Sequence, residues 1–287
     1  MKRLVLVFFL TFFAIAHGQM EFPKKEQDTT LTKKSFRIRA YKPIYFLFNY
    51  SDRMNENPTS DNPNNVVTNG IPLDHWELKF QLSFKTKAFN IGKGGGLWVA
   101  YTQSSRWQIF NTDQSRPFRE NNYEPEIFFT FLIDANEEKR SSYYWGIGLN
   151  HQSNGRSLPY SRSWNRFIGQ LGYQSDDFSV LLRPWLRWQE KSVDDDNRGI
   201  ENYVGRFDLT TAYKKGRSDL SLSVRHSLNF RNQSRGSLRF DYSFTAWGYF
   251  KFHAQLFHGY GENLLDFNHK QTTFGLGLSL VNWLDKF

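Results

Sequence analysis

The sequence predicts an all-β protein, a 12-stranded antiparallel transmembrane β-barrel. Three observations predict it. Apolar and polar residues alternate with period two in about twelve segments, each roughly ten residues long, the length a tilted strand needs to cross a bilayer. The connections between segments are short and long in turn, as in a barrel with short periplasmic turns and longer external loops. Aromatic residues make up 18% of a 287-residue chain whose mean hydropathy is only −0.63. That much aromatic side chain needs an apolar medium.

The elements follow in order. Lys2 and Arg3 precede an apolar run from Leu4 to Ile15, with small residues at Ala16 and Gly18, the three-part pattern of a secretory signal peptide over residues 1–18. The run is too short for a comfortable helical span, and no later stretch is apolar enough for one. Residues 19–35, "QMEFPKKEQDTTLTKKS", are charged and polar and read as a periplasmic tail. The barrel domain takes residues 36–287.

Strands are expected near 36–50, 76–87, 95–105, 124–134, 142–153, 164–174, 178–189, 201–213, 217–229, 236–245, 248–258 and 271–282. In the second, Leu78, Phe80, Leu82 and Phe84 interleave with Lys79, Gln81 and Ser83; in the tenth, Leu238, Phe240, Tyr242 and Phe244 interleave with Arg239, Asp241 and Ser243. Connections after even-numbered strands are short, such as "SDD" and "KKGR". Those after odd-numbered strands include "SDRMNENPTSDNPNN" and "NTDQSRPFRENN". The last strand, "TTFGLGLSL", leads to a C-terminal Phe287, which resembles the assembly signal of outer-membrane barrels. A soluble sandwich or lipocalin-like barrel would turn the same apolar faces inward, and period two alone does not distinguish the two. Strand number, loop asymmetry and the terminal Phe favour the membrane barrel.

The chain has no Cys, so disulfides and thiolate metal sites are excluded. Its net charge is +9. The cations are scattered along an exported chain, so nucleic acid is not an expected partner.

The stretch "HQSNGRSLPYSRSWNRF" at 151–167 carries the candidate chemistry. His151 and Ser153 share strand parity with the apolar Trp145, Ile147 and Leu149, and Asn165 shares it with Phe167 and Leu171. All three are therefore expected on the lipid-facing side, where a bare polar group is costly. His can take a proton from a Ser hydroxyl, and an Asn carbonyl can orient the imidazole without adding a charge. The i, i+2 spacing separates the His151 and Ser153 Cβ atoms by roughly 6–7 Å. An ester-bearing lipid would meet the Ser at the headgroup boundary. The alternative is that these are ordinary headgroup-level polar residues.

"YWGIGLNHQSNGRSLPYSRSWNRF", "YTQSSRWQIFNTDQSRPFRENNYEPEIF" and "FHGYGENLLDFNHKQTTFGLGLSL" together resemble outer-membrane phospholipase A, over the chain from about residue 36 to its end. The resemblance implies a calcium-dependent enzyme of the outer membrane, active as a homodimer. Such an enzyme hydrolyses the sn-1 and sn-2 acyl esters of phospholipids, and lysophospholipids, at the external leaflet. It assigns Ser153 as nucleophile, His151 as base, Asn165 as orienter and the Gly155 N–H as oxyanion donor. It assigns Ca2+ to the Arg156 carbonyl, the Ser161 hydroxyl and Ser115 of the other subunit. Gln152 stands where the best-known relatives carry Asp; its inward parity predicts a small effect. The first external loop is enlarged around "NENPTSDNPNN", which bears on access or lipid preference.

Gln103 shares outward parity with Leu97, Val99 and Tyr101. A Gln at membrane depth prefers a polar partner, and its own copy across a two-fold axis would supply one at a dimer interface. Two other readings stay open. A passive porin or structural barrel would use Lys79, Glu126, Arg183, Arg187, Arg206, Asp208, Arg225, Arg239 and Asp241 to line a channel, unless they pair and plug it. A deacylase of another lipid, such as lipid A, would share the trio.

Overall fold

The computed structural model describes residues 37–284 apart from 93, 137–139, 193–194 and 231–232. The signal peptide, the tail to residue 35 and Phe287 lie outside the described residues. Thirteen strands are formed among those described: β1 (Ile38–Ala40), β2 (Ile44–Ser51), β3 (Trp76–Ile91), β4 (Gly95–Trp107), β5 (Phe118–Asn136), β6 (Ser141–Ser153), β7 (Ser163–Gln174), β8 (Phe178–Trp188), β9 (Phe207–Lys215), β10 (Ser218–His226), β11 (Gly236–Trp247), β12 (Phe250–Gly259) and β13 (Gln271–Val281). Each pairs antiparallel with its neighbours, and β13 returns to β2, which pairs with β3, so the sheet closes.

Both β1 and β2 lie along β3, at Ala40↔Phe84 and Tyr45↔Gln81. They are two pieces of one staves' width, so the closed barrel has twelve positions. The expected first strand, 36–50, is interrupted at Tyr41–Pro43 because Pro43 has no N–H to give the ladder. The expected 201–213 strand starts only at Phe207. Its first residues, Glu201 and Asn202, lie in a 3-10 turn over Ile200–Asn202 instead, and Ile200 is fully buried there.

The two faces have opposite chemistry. Outward residues are apolar and exposed: Ile147 54%, Phe167 49%, Leu238 51% and Leu276 52%. Inward residues are charged and covered: Glu77 1%, Lys79 3%, Glu126 3% and Asp219 6%. A soluble sandwich would have the reverse pattern. Hydrocarbon has no water to satisfy a sheet edge, so closure is what makes this arrangement stable there.

The lumen is plugged by pairing. Lys79 bonds Glu262 at 2.7 Å, Arg225 bonds Asp208 at 2.8 Å, Arg239 bonds Asp241 at 3.3 Å, and Arg183 bonds Glu126. Arg106 and Arg119 meet Glu77, Glu262 and Asp266 near the outer end. The interior leaves a cavity of about 130 Å³, room for a few waters at about 30 Å³ each. Of the two fates open to the inward charges, they pair, except Arg206, which bonds the carbonyls of Glu201 and Ser227 and the Asn202 amide.

An apolar cluster sits inside the outer end. Trp164, Ile168 and Trp185 from β7 and β8 pack with Ile200, Val204, Leu264 and Phe267 from the connections that follow β8 and β12. It holds the outer ends of β7 and β8 against those connections, next to the candidate residues.

Candidate active site

Register builds the site. β6 and β7 pair with His151 directly opposite Asn165, and Ser153 opposite Ser163. Directly opposed side chains on one face lie within contact reach. His151 Nδ1 and Asn165 Oδ1 accordingly meet at 2.8 Å. Since the amide oxygen accepts only, Nδ1 carries the proton and Nε2 is left with its lone pair.

The pleat sends Gln152 inward, where its Oε1 accepts from Trp164 Nε1 at 2.9 Å. Ser153 then shares the outward side with His151. The outward floor beneath the pair is aromatic: Phe167 stacks on Trp188 with ring centroids 5.4 Å apart. Ser153 is half-buried, and its hydroxyl forms no hydrogen bond among the described residues.

The loop after β6 is tied down by one side chain. Asn154 Oδ1 accepts from the N–H groups of Arg156 at 3.3 Å and Arg162 at 3.0 Å, and its Nδ2 donates to the Tyr160 carbonyl at 2.8 Å and to Glu120 at 3.3 Å. Gly155, between these anchors, has φ +63°, and a Cβ there would stand 3.1 Å from the Tyr123 ring. Glycine suits that left-handed position. Its N–H is bonded to no group among the described residues, so a donor is available beside Ser153.

The enlarged first loop folds over this one. Asn65 Nδ2 donates to the carbonyls of Pro159 at 3.2 Å and Ser161 at 3.0 Å, and Asn62 Nδ2 to the Asp195 carbonyl at 3.0 Å. Both asparagines are buried. The "NENPTSDNPNN" insertion therefore braces the site's loop.

Arg156 and Ser161 lie on the same loop. The Arg156 guanidinium is drawn aside, stacked 4.3 Å from the Tyr160 ring and donating to the Arg119 carbonyl at 3.0 Å. The Ser161 hydroxyl donates to Asp196 Oδ2 at 2.5 Å. Oxygen donors beside a carboxylate suit a hard cation such as calcium. Ser115 is exposed in the β4–β5 loop, with φ +58°, and among the described residues no hydrogen bond joins it to Arg156 or Ser161. Gln103 has partners within the chain: its Oε1 accepts from the Tyr101 hydroxyl at 3.3 Å and its Nε2 donates to Ser105 Oγ at 3.2 Å.

Sequence reasoning passed over Glu190, Asp196, Asn154 and Asn65. Glu190, just past β8, accepts from Asn165 Nδ2 at 3.0 Å. Burial lifts its carboxyl above the ordinary carboxylate value; the Asn165 amide draws it down, Asp195 and Asp196 raise it, and Arg187 lowers it. No local motif marks Glu190, Asp196 or Asn65, because their partners come from distant strands and loops; Asn154 lies within the 151–167 stretch, but its role in closing the loop shows only in the folded chain.

The chain matches the family model described as Phospholipase A1 over residues 23–280. The phospholipase A1 of Proteus vulgaris is 34% identical over 252 residues, covering 85% of this chain and 82% of that protein. Among solved structures, an active-site mutant of Escherichia coli outer membrane phospholipase A, asparagine changed to alanine, matches with TM-score 0.74 and 28% identity over 90% of this chain and 95% of that one. The Salmonella typhi outer membrane phospholipase, a dimer with bound calcium, matches with TM-score 0.74 and 29% identity over 88% and 95%.

Proposed function

The chain belongs to the phospholipase A1 family, and on that premise we propose that it is a calcium-dependent serine hydrolase working on phospholipid from the lipid-facing side of an outer-membrane barrel. The observation that carries the reading is the outward His151–Asn165 hydrogen bond with Ser153 two residues on, at the rim of an apolar belt. Its substrates would be the sn-1 and sn-2 esters of phospholipids and lysophospholipids.

The chemistry follows from the atoms. The Ser153 Oγ bonds to the acyl carbonyl carbon while its proton passes to His151 Nε2. The carbonyl oxygen takes up the electron pair and is met by the Gly155 N–H. As the tetrahedral species collapses, the bond from carbon to the glycerol oxygen breaks, and Nε2 gives that oxygen its proton. Water then attacks the acyl-Ser153 ester by the same route, Nε2 accepting its proton and returning it to Ser153, and the fatty acid leaves. Throughout, the Asn165 carbonyl holds the ring in one tautomer.

Calcium would be held by the Arg156 carbonyl and the Ser161 hydroxyl, with Ser115 of the second subunit, and would supply positive charge near the oxyanion when bound. A homodimer is part of this proposal, since the third ligand must come from another copy. Gln103 lies on the face where that copy would dock.

The test is fatty-acid release from phospholipid mixed micelles by the refolded chain. It is run with calcium, with chelator, and with Ser153→Ala, on substrates carrying distinct sn-1 and sn-2 acyl chains. Release of both acids that needs calcium and Ser153 is expected. A correctly folded barrel that releases neither with calcium present overturns the reading.

A further inference from the structure

Asn165 is held from two sides. Its Oδ1 faces His151 Nδ1 at 2.8 Å, and its Nδ2 donates to Glu190 Oε1 at 3.0 Å. A primary amide can exchange its oxygen and nitrogen by a half-turn about its last bond, at little steric cost. The two orientations are not equivalent for catalysis. With oxygen toward the ring, Nδ1 carries the proton and Nε2 can accept one from Ser153. With NH2 toward the ring, Nδ1 must accept, the ring proton moves to Nε2, and Nε2 can no longer act as a base.

His151 cannot make this choice, because a neutral imidazole offers either a donor or an acceptor at Nδ1. The ionised Glu190 carboxylate can, because it only accepts. It takes the NH2 and leaves the oxygen for His151.

We propose that Glu190 is a positioning residue of this active site: it fixes the orientation of the Asn165 amide and, through it, the tautomer of His151. The proposal rests on the Ser153, His151 and Asn165 reading above.

The fold places Glu190 for this. It stands two residues beyond Trp188, which pairs with Asn165 in register. The chain that follows is fastened back to the same strands. Asp195 bonds Arg187 at 2.5 Å, Asn197 bonds the Ser163 N–H at 3.1 Å and the Ser163 carbonyl at 2.8 Å, and Ile200 enters the apolar cluster. The charged groups around Glu190 are Arg187, Asp195 and Asp196. In the described structure Arg187 is bound to Asp195 and Glu201, and Asp196 to Ser161, so Asn165 has the Glu190 carboxylate to itself.

The test is steady-state kinetics of the full refolded chain on phospholipid mixed micelles with calcium, each variant matched to wild type by circular dichroism. Glu190→Ala should lower kcat about 2-fold, because an unbiased Asn165 amide turns its NH2 to the ring about half of the time, with KM unchanged. Glu190→Gln can offer the Asn165 amide either an acceptor or a donor, so it loses the choice and should fall about as far as Glu190→Ala. Glu190→Lys, a donor only, should turn the amide over and fall below Glu190→Ala. In an Asn165→Ala background, Glu190→Ala should leave kcat unchanged and Glu190→Lys should cost less than about 2-fold, because the link is already gone.

A wild-type kcat for Glu190→Ala overturns the proposal. So does an equal loss in both backgrounds, or a Glu190→Lys as fast as Glu190→Ala. If Ser153→Ala keeps activity, the underlying reading fails and this one with it. If Ser153→Ala is dead and Glu190→Ala is normal, only the role of Glu190 fails.

Discussion

Replacing Asn165 by Ala removes one hydrogen bond whose strength changes during the reaction. In the resting site it joins a neutral imidazole to an amide oxygen at 2.8 Å. Such a bond contributes about 0.5–1.5 kcal/mol net, and about 1.5–3 kcal/mol once the ring is an imidazolium. Only the difference, roughly 1–1.5 kcal/mol, speeds the chemical step, which is about 5- to 13-fold in kcat. Losing control of the tautomer adds a factor of about two, so the expected loss is about 10- to 25-fold. Removing the buried charged orienter of a Ser-His-Asp triad costs about 10⁴. His151 here is exposed and its partner uncharged, so a far smaller effect is expected. The assay is the initial rate of fatty-acid release from mixed micelles at saturating calcium, with kcat and KM resolved. Wild-type kcat in Asn165→Ala would make the bond ornamental. A variant as inactive as Ser153→Ala would mean that Asn165 does more than orient the ring.

Gly155→Ala must place a Cβ at φ +63°, 3.1 Å from the Tyr123 ring, at a cost of about 1–2 kcal/mol. It should cut kcat at least about 10-fold while the barrel still folds, and unchanged kcat would remove the Gly155 N–H from the oxyanion role. Asn65→Ala strips two hydrogen bonds from the carbonyls of Pro159 and Ser161, a loss of about 1–3 kcal/mol. The 154–162 loop should then be cut faster by added protease, and an unaltered cleavage rate would show that the first loop does not brace it. Gln103→Ala should lower the yield of chemically cross-linked dimer in calcium-containing micelles; equal yield would place the interface elsewhere. In planar bilayers the barrel should show no steady ion conductance, since its inward charges are paired across the lumen, and a stable open channel would refute the plugged lumen.

The strands were legible in the sequence because alternation is local. Each L-residue in an extended backbone puts its side chain opposite to the previous one, so Ile147, Leu149, His151 and Ser153 share a side without reference to any other strand. That puts the candidate trio on the apolar face of its strands; that this face is the outward one rests on strand number and loop asymmetry, and the closed barrel bears it out. Breaks in the pattern misled: Pro43 splits the first strand, and Glu201 and Asn202, expected to open the eighth strand, belong to a turn anchored by buried Ile200. Register, by contrast, is decided by closure. His151 faces Asn165 because β6 and β7 align there, and the same two residues one step out of register would point to opposite sides of the sheet. The lumen's ion pairs join residues as far apart as Lys79 and Glu262, and the brace from Asn65 crosses from the first loop to the third. Glu190 reaches Asn165 only because the connection after β8 is fastened back onto β7. Strand periodicity is a property of one segment, and the sequence alone determines it. Which polar groups meet depends on distances between segments, and only the closed barrel sets those.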